Sequence, residues 1–171
     1  MDSSLLLQTG LARYFNKRPF SDITVIAPDG RSIMCHQVVL SAGSKRFANM
    51  LEQGNLHGEE LPVWGVDSDA LESIIYFFYS AECTLSYPGA VAELDAATRL
   101  DVPALAAAAE QFIRETMHPT TVTTILAQSL QFKMSELAAT CFDYINNRWV
   151  GCEASAARCT WGAARVSALS G

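Results

Sequence analysis

The feature that most constrains this chain is a pair of short β-type segments joined by Asp29-Gly30, set in a sequence that otherwise has helical periodicity. Residues 22–27 are rich in β-branched side chains, and residues 31–35 follow directly after the turn. An Asp-Gly pair supplies the positive φ that tight hairpin turns need. Residues 61–64 form a third short strand, which Pro62 places at a sheet edge or at a strand start. We therefore predict an α+β fold, in which helices cover a small mixed sheet.

The N-terminal segment, residues 5–15, carries apolar side chains at helical spacing, and Pro19 ends it. The residues that share one face are Leu7, Leu11, Tyr14 and Phe15. An apolar helix face has to be buried against something. It packs either within its own chain or on another subunit, most simply a second copy of the chain.

Capping residues divide the middle of the chain into helices. Gly43 interrupts a short helix over residues 36–42, and Ser44 caps the next helix. On that helix one face is formed by Phe47, Met50 and Leu51. A stronger helix opens at residues 67–69, with Glu72 three residues after Asp69 to complete a capping box. Its buried stripe is predicted to consist of Leu71, Ile74, Ile75, Phe78 and Tyr79.

Proline residues mark the later boundaries. Pro88 and Pro103 each begin a helix, and Pro119 closes this part of the chain. Residues 120–130 and 135–149 follow as two helices with a short link, which predicts an antiparallel helical hairpin. The last segment, residues 151–171, is rich in Ala, Ser and Gly and has no apolar stripe. We predict that it is a disordered tail.

Composition and charge narrow the possible functions. The chain is 50% hydrophobic, which predicts a packed core, and has 12 Lys+Arg against 18 Asp+Glu, a net charge of -6. This balance argues against nucleic-acid binding, which needs clustered basic residues. Residues 47 to 98 contain no Lys or Arg. Such an acidic middle suits a basic protein partner, or it is simply a solvated surface.

The chain shows no sign of export or membrane insertion. Its longest apolar stretch, residues 74–79, is far too short to span a bilayer, and residues 5–7 are too short for a signal-peptide core. Five cysteines are scattered without a C-x-x-C pair, which suits a reducing compartment. We expect a cytoplasmic or nuclear protein that contacts no membrane.

The reactive side chains of the sequence form no pattern typical of an enzyme, so we predict that the protein is not one. The chain has no nucleophile elbow, no phosphate-binding glycine loop and no dinucleotide fingerprint. Cys35 and His36 could be a thiolate–imidazole site, but adjacent residues on a strand point to opposite faces. His57 and His118 lack ligand-type neighbours. We therefore predict no catalytic residues, no metal and no cofactor.

Several sequence blocks, in order, resemble the BTB/POZ domain. They are FSDITV at residues 20–25, CHQVVLSAGS at residues 35–44, LESIIYFFYS at residues 71–80, and the leucine-rich run at residues 94–105. The resemblance covers residues 5–117. Residues 118–150 are similar to the opening helical pair of a BACK-type extension, which often follows BTB domains in ligase adaptors.

The resemblance implies a protein-interaction module that forms homodimers through its first helix. On this chain the implied dimer interface comprises Leu7, Leu11, Tyr14, Phe15, Asp22 and Lys45. In the family a buried Asp lies near a basic residue, and here Asp22 would pair with Lys45 or Arg46. The alternative is that Asp22 only caps the start of its strand.

The resemblance also implies recruitment of cullin-3, with the chain as adaptor between a ubiquitin ligase and an unknown substrate protein. The implied contact residues are Phe47, Met50, Leu51, Leu56, Glu59, Phe77 and Tyr79, together with the helical hairpin. Cullin-binding members often carry a hydrophobic-x-Glu motif in this loop, where this chain has Gly58, although Glu59 follows. The alternative is a self-association module in transcriptional or cytoskeletal assembly, without a ligase.

Overall fold

The computed structural model describes residues 10–54 and 59–153. The elements, in chain order, are β1 Ile23–Ile26, β2 Ser32–Cys35, α1 Gln37–Gly43, α2 Lys45–Glu52, β3 Glu60–Pro62, α3 Ser68–Ser80, α4 Ala90–Arg99, α5 Pro103–Thr116, α6 Val122–Gln131 and α7 Ser135–Glu153. The α+β prediction is confirmed, since helices pack around one small mixed sheet.

The sheet has the strand order β2–β1–β3. β1 pairs antiparallel with β2, so that Ile23 lies opposite Cys35, and it pairs parallel with β3, where Val25 lies opposite Leu61. The hairpin turn forms at the predicted place, because Gly30 adopts a φ of +88° and its N–H donates to the carbonyl of Ala27 at 2.9 Å. β3 lies at the sheet edge, where its proline removes no ladder hydrogen bond from a central strand.

Two apolar clusters hold the chain together. The first joins the sheet to α1, α2 and α3 around the fully buried Val25 and Leu71. The second joins α4 and α5 to α6 and α7 around Ile113, Ile125 and Cys141. Because α4 contributes to both clusters, the helical hairpin packs on the same body as the sheet.

Two helix starts test the capping predictions. The Ser44 hydroxyl accepts the N–H of Phe47 at 3.1 Å, as predicted, and also donates to the carbonyl of Leu100. The predicted capping box at Glu72 is wrong. Asp67 is the N-cap of α3, accepting the N–H groups of Asp69 and Ala70 at 3.1 Å each. Glu72 therefore lies beyond the reach of the cap.

Glu72 instead binds Arg31, whose guanidinium is 3.0 Å from Glu72 Oε2 and 2.6 Å from Asp69 Oδ1. The same guanidinium pairs with Asp29 in the hairpin turn. Three carboxylates thus bracket one arginine and connect the β1–β2 turn to the first turn of α3. Since these side chains are partly exposed, the network orients the elements more than it stabilises them.

Two predicted boundaries move. Residues 10–12 are helical, but residues 13–16 form turns, so the first helix ends before Tyr14 and not at Pro19. The Tyr14 N–H bonds to the carbonyl of Leu11 at 2.9 Å, an i→i−3 contact that tightens the end of the helix. At the other end α7 continues to Glu153, so residues 151–153 are helical and not part of a disordered tail. The rest of the predicted tail, residues 154–171, lies outside the described residues.

Candidate partner-binding surfaces

The N-terminal segment that was predicted to dimerise divides into a docked part and an exposed part. Phe15 is half-buried, and its ring packs edge-on against Tyr76 at 5.2 Å and Tyr79 at 5.8 Å between centroids. Tyr14 is also half-buried, and its ring packs edge-on against the His36 ring, with 6.4 Å between the ring centroids. These two side chains therefore pack within their own chain, the first of the two alternatives left by the sequence.

What we call the N-terminal surface comprises the exposed Leu11, Phe20, Asp22 and Val38, together with the half-buried Tyr14 on which Phe20 packs. Leu11, Phe20 and Val38 are 37%, 80% and 72% exposed. Phe20 packs edge-on against Tyr14 at 5.8 Å and extends the docked segment outward. Leu7 lies outside the described residues. Exposed apolar side chains of this size in one region are typical of an interaction site.

Phe20 is also conformationally unusual. Its φ is +65°, in the left-handed region that bulky residues rarely occupy. Glycine, which has no Cβ, adopts this φ without the steric energy that a phenylalanine incurs. The chain therefore places an exposed aromatic ring where backbone preference favours a residue without a side chain. Strain of this kind at an exposed apolar residue supports a functional role for the side chain.

Asp22 is exposed and has a role that neither sequence interpretation anticipated. Its Oδ1 accepts the N–H of Gln37 at 2.8 Å and so caps α1 from just before β1, fifteen residues earlier. His36, at the N-cap position, makes no side-chain cap. Lys45 and Arg46 are exposed, and in the described part of the chain neither forms an ion pair with Asp22. A contact between Asp22 and Lys45 across a dimer stays a prediction.

The predicted cullin surface is partly corrected. Phe47 and Tyr79 are fully buried, so neither side chain reaches the surface. Phe47 lies on the apolar face of α2 and Tyr79 on the apolar stretch of α3, and both side chains belong to the cluster that surrounds the sheet. The Phe47 ring packs edge-on against the Phe78 ring, with 6.3 Å between the ring centroids.

The other members of this set lie nearer the surface. Met50, Leu51 and Phe77 are half-buried against the core, and Glu59 is exposed. The side chains of Met50 and Leu51 thus retain part of the predicted contact face on α2. Leu56 and Gly58 lie outside the described residues.

The Cys35–His36 pair does not form a reactive site. Burial raises the pKa of Cys35 to about 12, so the thiol is protonated at neutral pH and is a poor nucleophile. The His36 ring instead meets the hydroxyl of Tyr79, with 2.7 Å between Nδ1 and the phenol oxygen. Burial also raises the pKa of Tyr79 well above its usual value.

A groove of about 390 Å³ lies between α3, α4 and α6. Its lining includes Asp67, Asp69, Pro88, Glu93, Gln128 and Phe132. Glu93 is buried, which raises its pKa, and its nearest thiol is Cys83 with Sγ at 3.9 Å. The pKa of Cys83 is itself raised by burial and by Glu93. In residues 10–54 and 59–153, no group of His, Cys, Asp and Glu is arranged to hold a metal ion.

The helical hairpin has apolar side chains in solvent as well. Leu130 near the end of α6 is 58% exposed, and Phe142 on α7 is 50% exposed.

Within the described part of the chain, no helix is long and apolar enough to cross a membrane.

The geometry defines a class of protein first: a small α+β domain whose distinctive surface features are exposed apolar side chains on the N-terminal surface and the hairpin. The comparisons with known proteins then name the family. The family model for the BTB/POZ domain matches residues 11–117, more than half of the chain. The chain therefore belongs to the BTB/POZ domain family of protein-interaction modules, as its sequence blocks predicted.

Relatives and a solved structure agree with this assignment. Human Kelch-like protein 41 is 29% identical over 150 residues, which is 86% of this chain and 24% of that protein. Zebrafish BTB/POZ domain-containing protein 6-B is 31% identical over 139 residues, 79% of this chain and 29% of that protein. The BTB domain of human Gigaxonin superposes with a TM-score of 0.58 at 19% identity, covering 66% of this chain and 93% of that one. The chain spans about a quarter of the length of these curated relatives.

Proposed function

We propose that this chain is a non-enzymatic, self-associating module that acts as an adaptor for a cullin-3 type ubiquitin ligase. The observation that carries the self-association is the N-terminal surface, where Leu11, Phe20 and Val38 are exposed together around a docked aromatic segment. A two-fold copy is the simplest occupant, because an isologous interface lets one apolar patch cover its twin. Such an adaptor would work in the cytoplasm or the nucleus.

The ligase part of the proposal rests on α2 and on the kinship with Kelch-like proteins. Met50 and Leu51 on α2 are partly accessible, and Glu59 is exposed after the loop that follows this helix. The α6–α7 hairpin packs on α4 and α5, where we propose that it serves as the start of a BACK-type extension. The exposed Leu130 and Phe142 would then add apolar side chains to the ligase-facing side.

Phe20→Gly tests self-association without the usual ambiguity of a folding defect. Glycine adopts the positive φ at this position more easily than phenylalanine, so the variant should fold at least as stably as the parent. Loss of the exposed ring should shift the mass measured by light scattering at micromolar concentration from dimer to monomer. Leu130→Asp, on the hairpin, is the control and should remain dimeric. A Phe20→Gly variant that stays dimeric would contradict the proposed interface.

Capture of cullin-3 tests the ligase part separately. The intact chain should retain purified cullin-3, and Met50→Asp together with Leu51→Asp should lower the retention at least tenfold, since a charge in a buried contact is costly. Gly58→Glu should strengthen the binding if this loop carries the family motif. If the chain forms dimers but retains no cullin-3, the result favours a second candidate function, a scaffold module without a ligase. The observation that supports this second candidate is the glycine at position 58.

A further inference from the structure

The groove between α3, α4 and α6 combines apolar side chains with several hydrogen-bond acceptors. Pro88 and Phe132 belong to the apolar part of its wall, while Asp67, Asp69 and Glu93 contribute carboxylates. In the part of the chain that the structure describes, none of the residues that line the groove is a Lys, Arg or His. The wall of the groove therefore carries negative charge without a cation of its own.

Glu93 is the acceptor whose position is hardest to explain within the chain. It is only 9% exposed, yet none of the ion pairs in residues 10–54 and 59–153 includes it. Its Oε2 accepts from the thiol of Cys83 at 3.9 Å, and a thiol is a weak donor. Burial raises the pKa of Glu93 more than the neighbouring Ser73 hydroxyl lowers it. Since buried carboxylates are normally paired, the charge of Glu93 is left for a cation from outside the described chain to neutralise.

Gln128 provides a second unused acceptor, from a different helix. Its Oε1 is buried, and no donor among the described residues hydrogen-bonds to it. A buried oxygen without a donor is unfavourable, and such atoms are rare in native structures. The other carboxylates of the groove are engaged, because Asp67 Oδ1 caps α3 and Asp69 Oδ1 pairs with Arg31 at 2.6 Å. The unused acceptors thus include the carboxylate on α4 and the amide oxygen on α6.

We propose that this groove binds an arginine side chain from a basic segment of a partner protein. A guanidinium has N–H donors in a planar fork and can serve two acceptors at once, whereas the lysine ammonium is a compact point charge. The apolar part of the wall suits the methylene stem, and an aromatic ring such as that of Phe132 attracts a cation. Most of the wall comes from residues 47–98, which contain no Lys or Arg, so its field favours a basic partner. The groove is separate from the N-terminal surface and from α2, so this inference does not rest on the proposed function.

An NMR titration of the intact, isotope-labelled chain tests the site. The probe is a Gly-Arg-Gly peptide with blocked ends, and its match is the same peptide with citrulline, which has the shape of arginine but no charge. The arginine peptide should shift the resonances of Ala92 and of the Gln128 side-chain amide, with a Kd of about 1 mM for so small a ligand. The citrulline peptide should bind at least about tenfold more weakly, because it lacks the charge-assisted hydrogen bonds. Equal binding of both peptides, or no binding of either at about 10 mM, would overturn the proposal.

Matched variants assign the binding to Glu93 and not to the overall charge of the chain. Glu93→Gln keeps the shape of the side chain and should weaken binding of the arginine peptide at least about tenfold. Glu110→Gln removes the same charge from an exposed residue of α5 and should leave the Kd within about twofold. Gln128→Leu, which removes the unpaired oxygen, should weaken binding about threefold. Equal Kd values for Glu93→Gln and Glu110→Gln would refute the site, and the citrulline comparison on the parent chain tests it without any change to the fold.

Discussion

The contact between Gly43 and Phe78 gives the sharpest prediction about this fold. Gly43 is the last residue of α1, and a Cβ added there would lie 2.5 Å from Phe78 Cδ1 and 2.6 Å from Phe78 Cγ. Real Cβ contacts of this kind are essentially never below 3.0 Å. Cγ is the root of the ring and moves only if χ1 of Phe78 changes, which would also break the packing of the ring on Phe47. Gly43→Ala must therefore force Phe78 into another rotamer or displace α3 from the α1–α2 junction.

Two effects of Gly43→Ala oppose each other. Overpacking a core contact typically costs about 1–3 kcal/mol. Alanine is favoured over glycine within a helix by about 0.5–1 kcal/mol, and this offsets part of that cost. We expect a net loss of about 1–2 kcal/mol in the free energy of unfolding, or roughly 2–8 °C in the melting temperature for a chain of this size.

A double-mutant cycle in urea isolates the contact. In a Phe78→Ala background the ring is absent, so Gly43→Ala should become neutral or stabilising by about 0.5 kcal/mol. Gly89→Ala is the matched control, since Gly89 has a φ of -68° and an added Cβ would meet its nearest neighbour at 3.5 Å. That substitution should be neutral or stabilising by about 0.4–1 kcal/mol. If Gly43→Ala costs the same with and without the Phe78 ring, steric overlap is not the cause and the reasoning is refuted.

Three further predictions concern buried polar groups. Ser44→Ala should lower the free energy of unfolding by about 2 kcal/mol, measured in urea, because it removes a helix cap and leaves the Leu100 carbonyl without its donor; a loss below about 0.5 kcal/mol would contradict this. Burial and Glu93 raise the pKa of Cys83, so iodoacetamide should label this thiol severalfold more slowly than a free cysteine at pH 7.5. Glu93→Gln should increase the labelling rate, which peptide mass spectrometry measures. Glu93→Gln should also stabilise the fold at pH 7 but not at pH 4, because a carboxyl whose pKa is raised in the folded state lowers stability once the pH exceeds its unfolded pKa. Chemical denaturation at both pH values measures this difference. Equal effects of the substitution at pH 7 and pH 4 would contradict the prediction.

Much of the fold could be predicted because it depends on local chemistry. The Asp29-Gly30 turn, the Ser44 cap and the helix start at Pro103 each follow from the dihedral or hydrogen-bonding preference of one or two residues. The helical hairpin follows from two periodic segments and a link too short to allow another arrangement. These features need no knowledge of distant parts of the chain.

The candidate surfaces could be predicted only in outline. The helical period placed Tyr79 in the buried stripe of α3. Because residues 74–79 are apolar on every side, it could not show that Phe78, in the same predicted stripe, is only half-buried. The role of Asp22 as the cap of α1 was missed because the residue lies fifteen positions before the N–H that it accepts. The exposure and positive φ of Phe20 had no sequence signal beyond its place in the family-like block.

By itself, then, the amino-acid sequence determined the secondary structure, the fold class and the family, since these follow from spacing, caps and turns that act over a few residues. Only the tertiary structure decided which side chains remain available to partners. It buried Phe47, paired Glu72 with Arg31 across 41 residues, and left Phe20 in solvent. The physical reason is that exposure is settled by the neighbours a side chain meets in space, and for an all-round apolar helix those neighbours are chosen by the packing of distant segments.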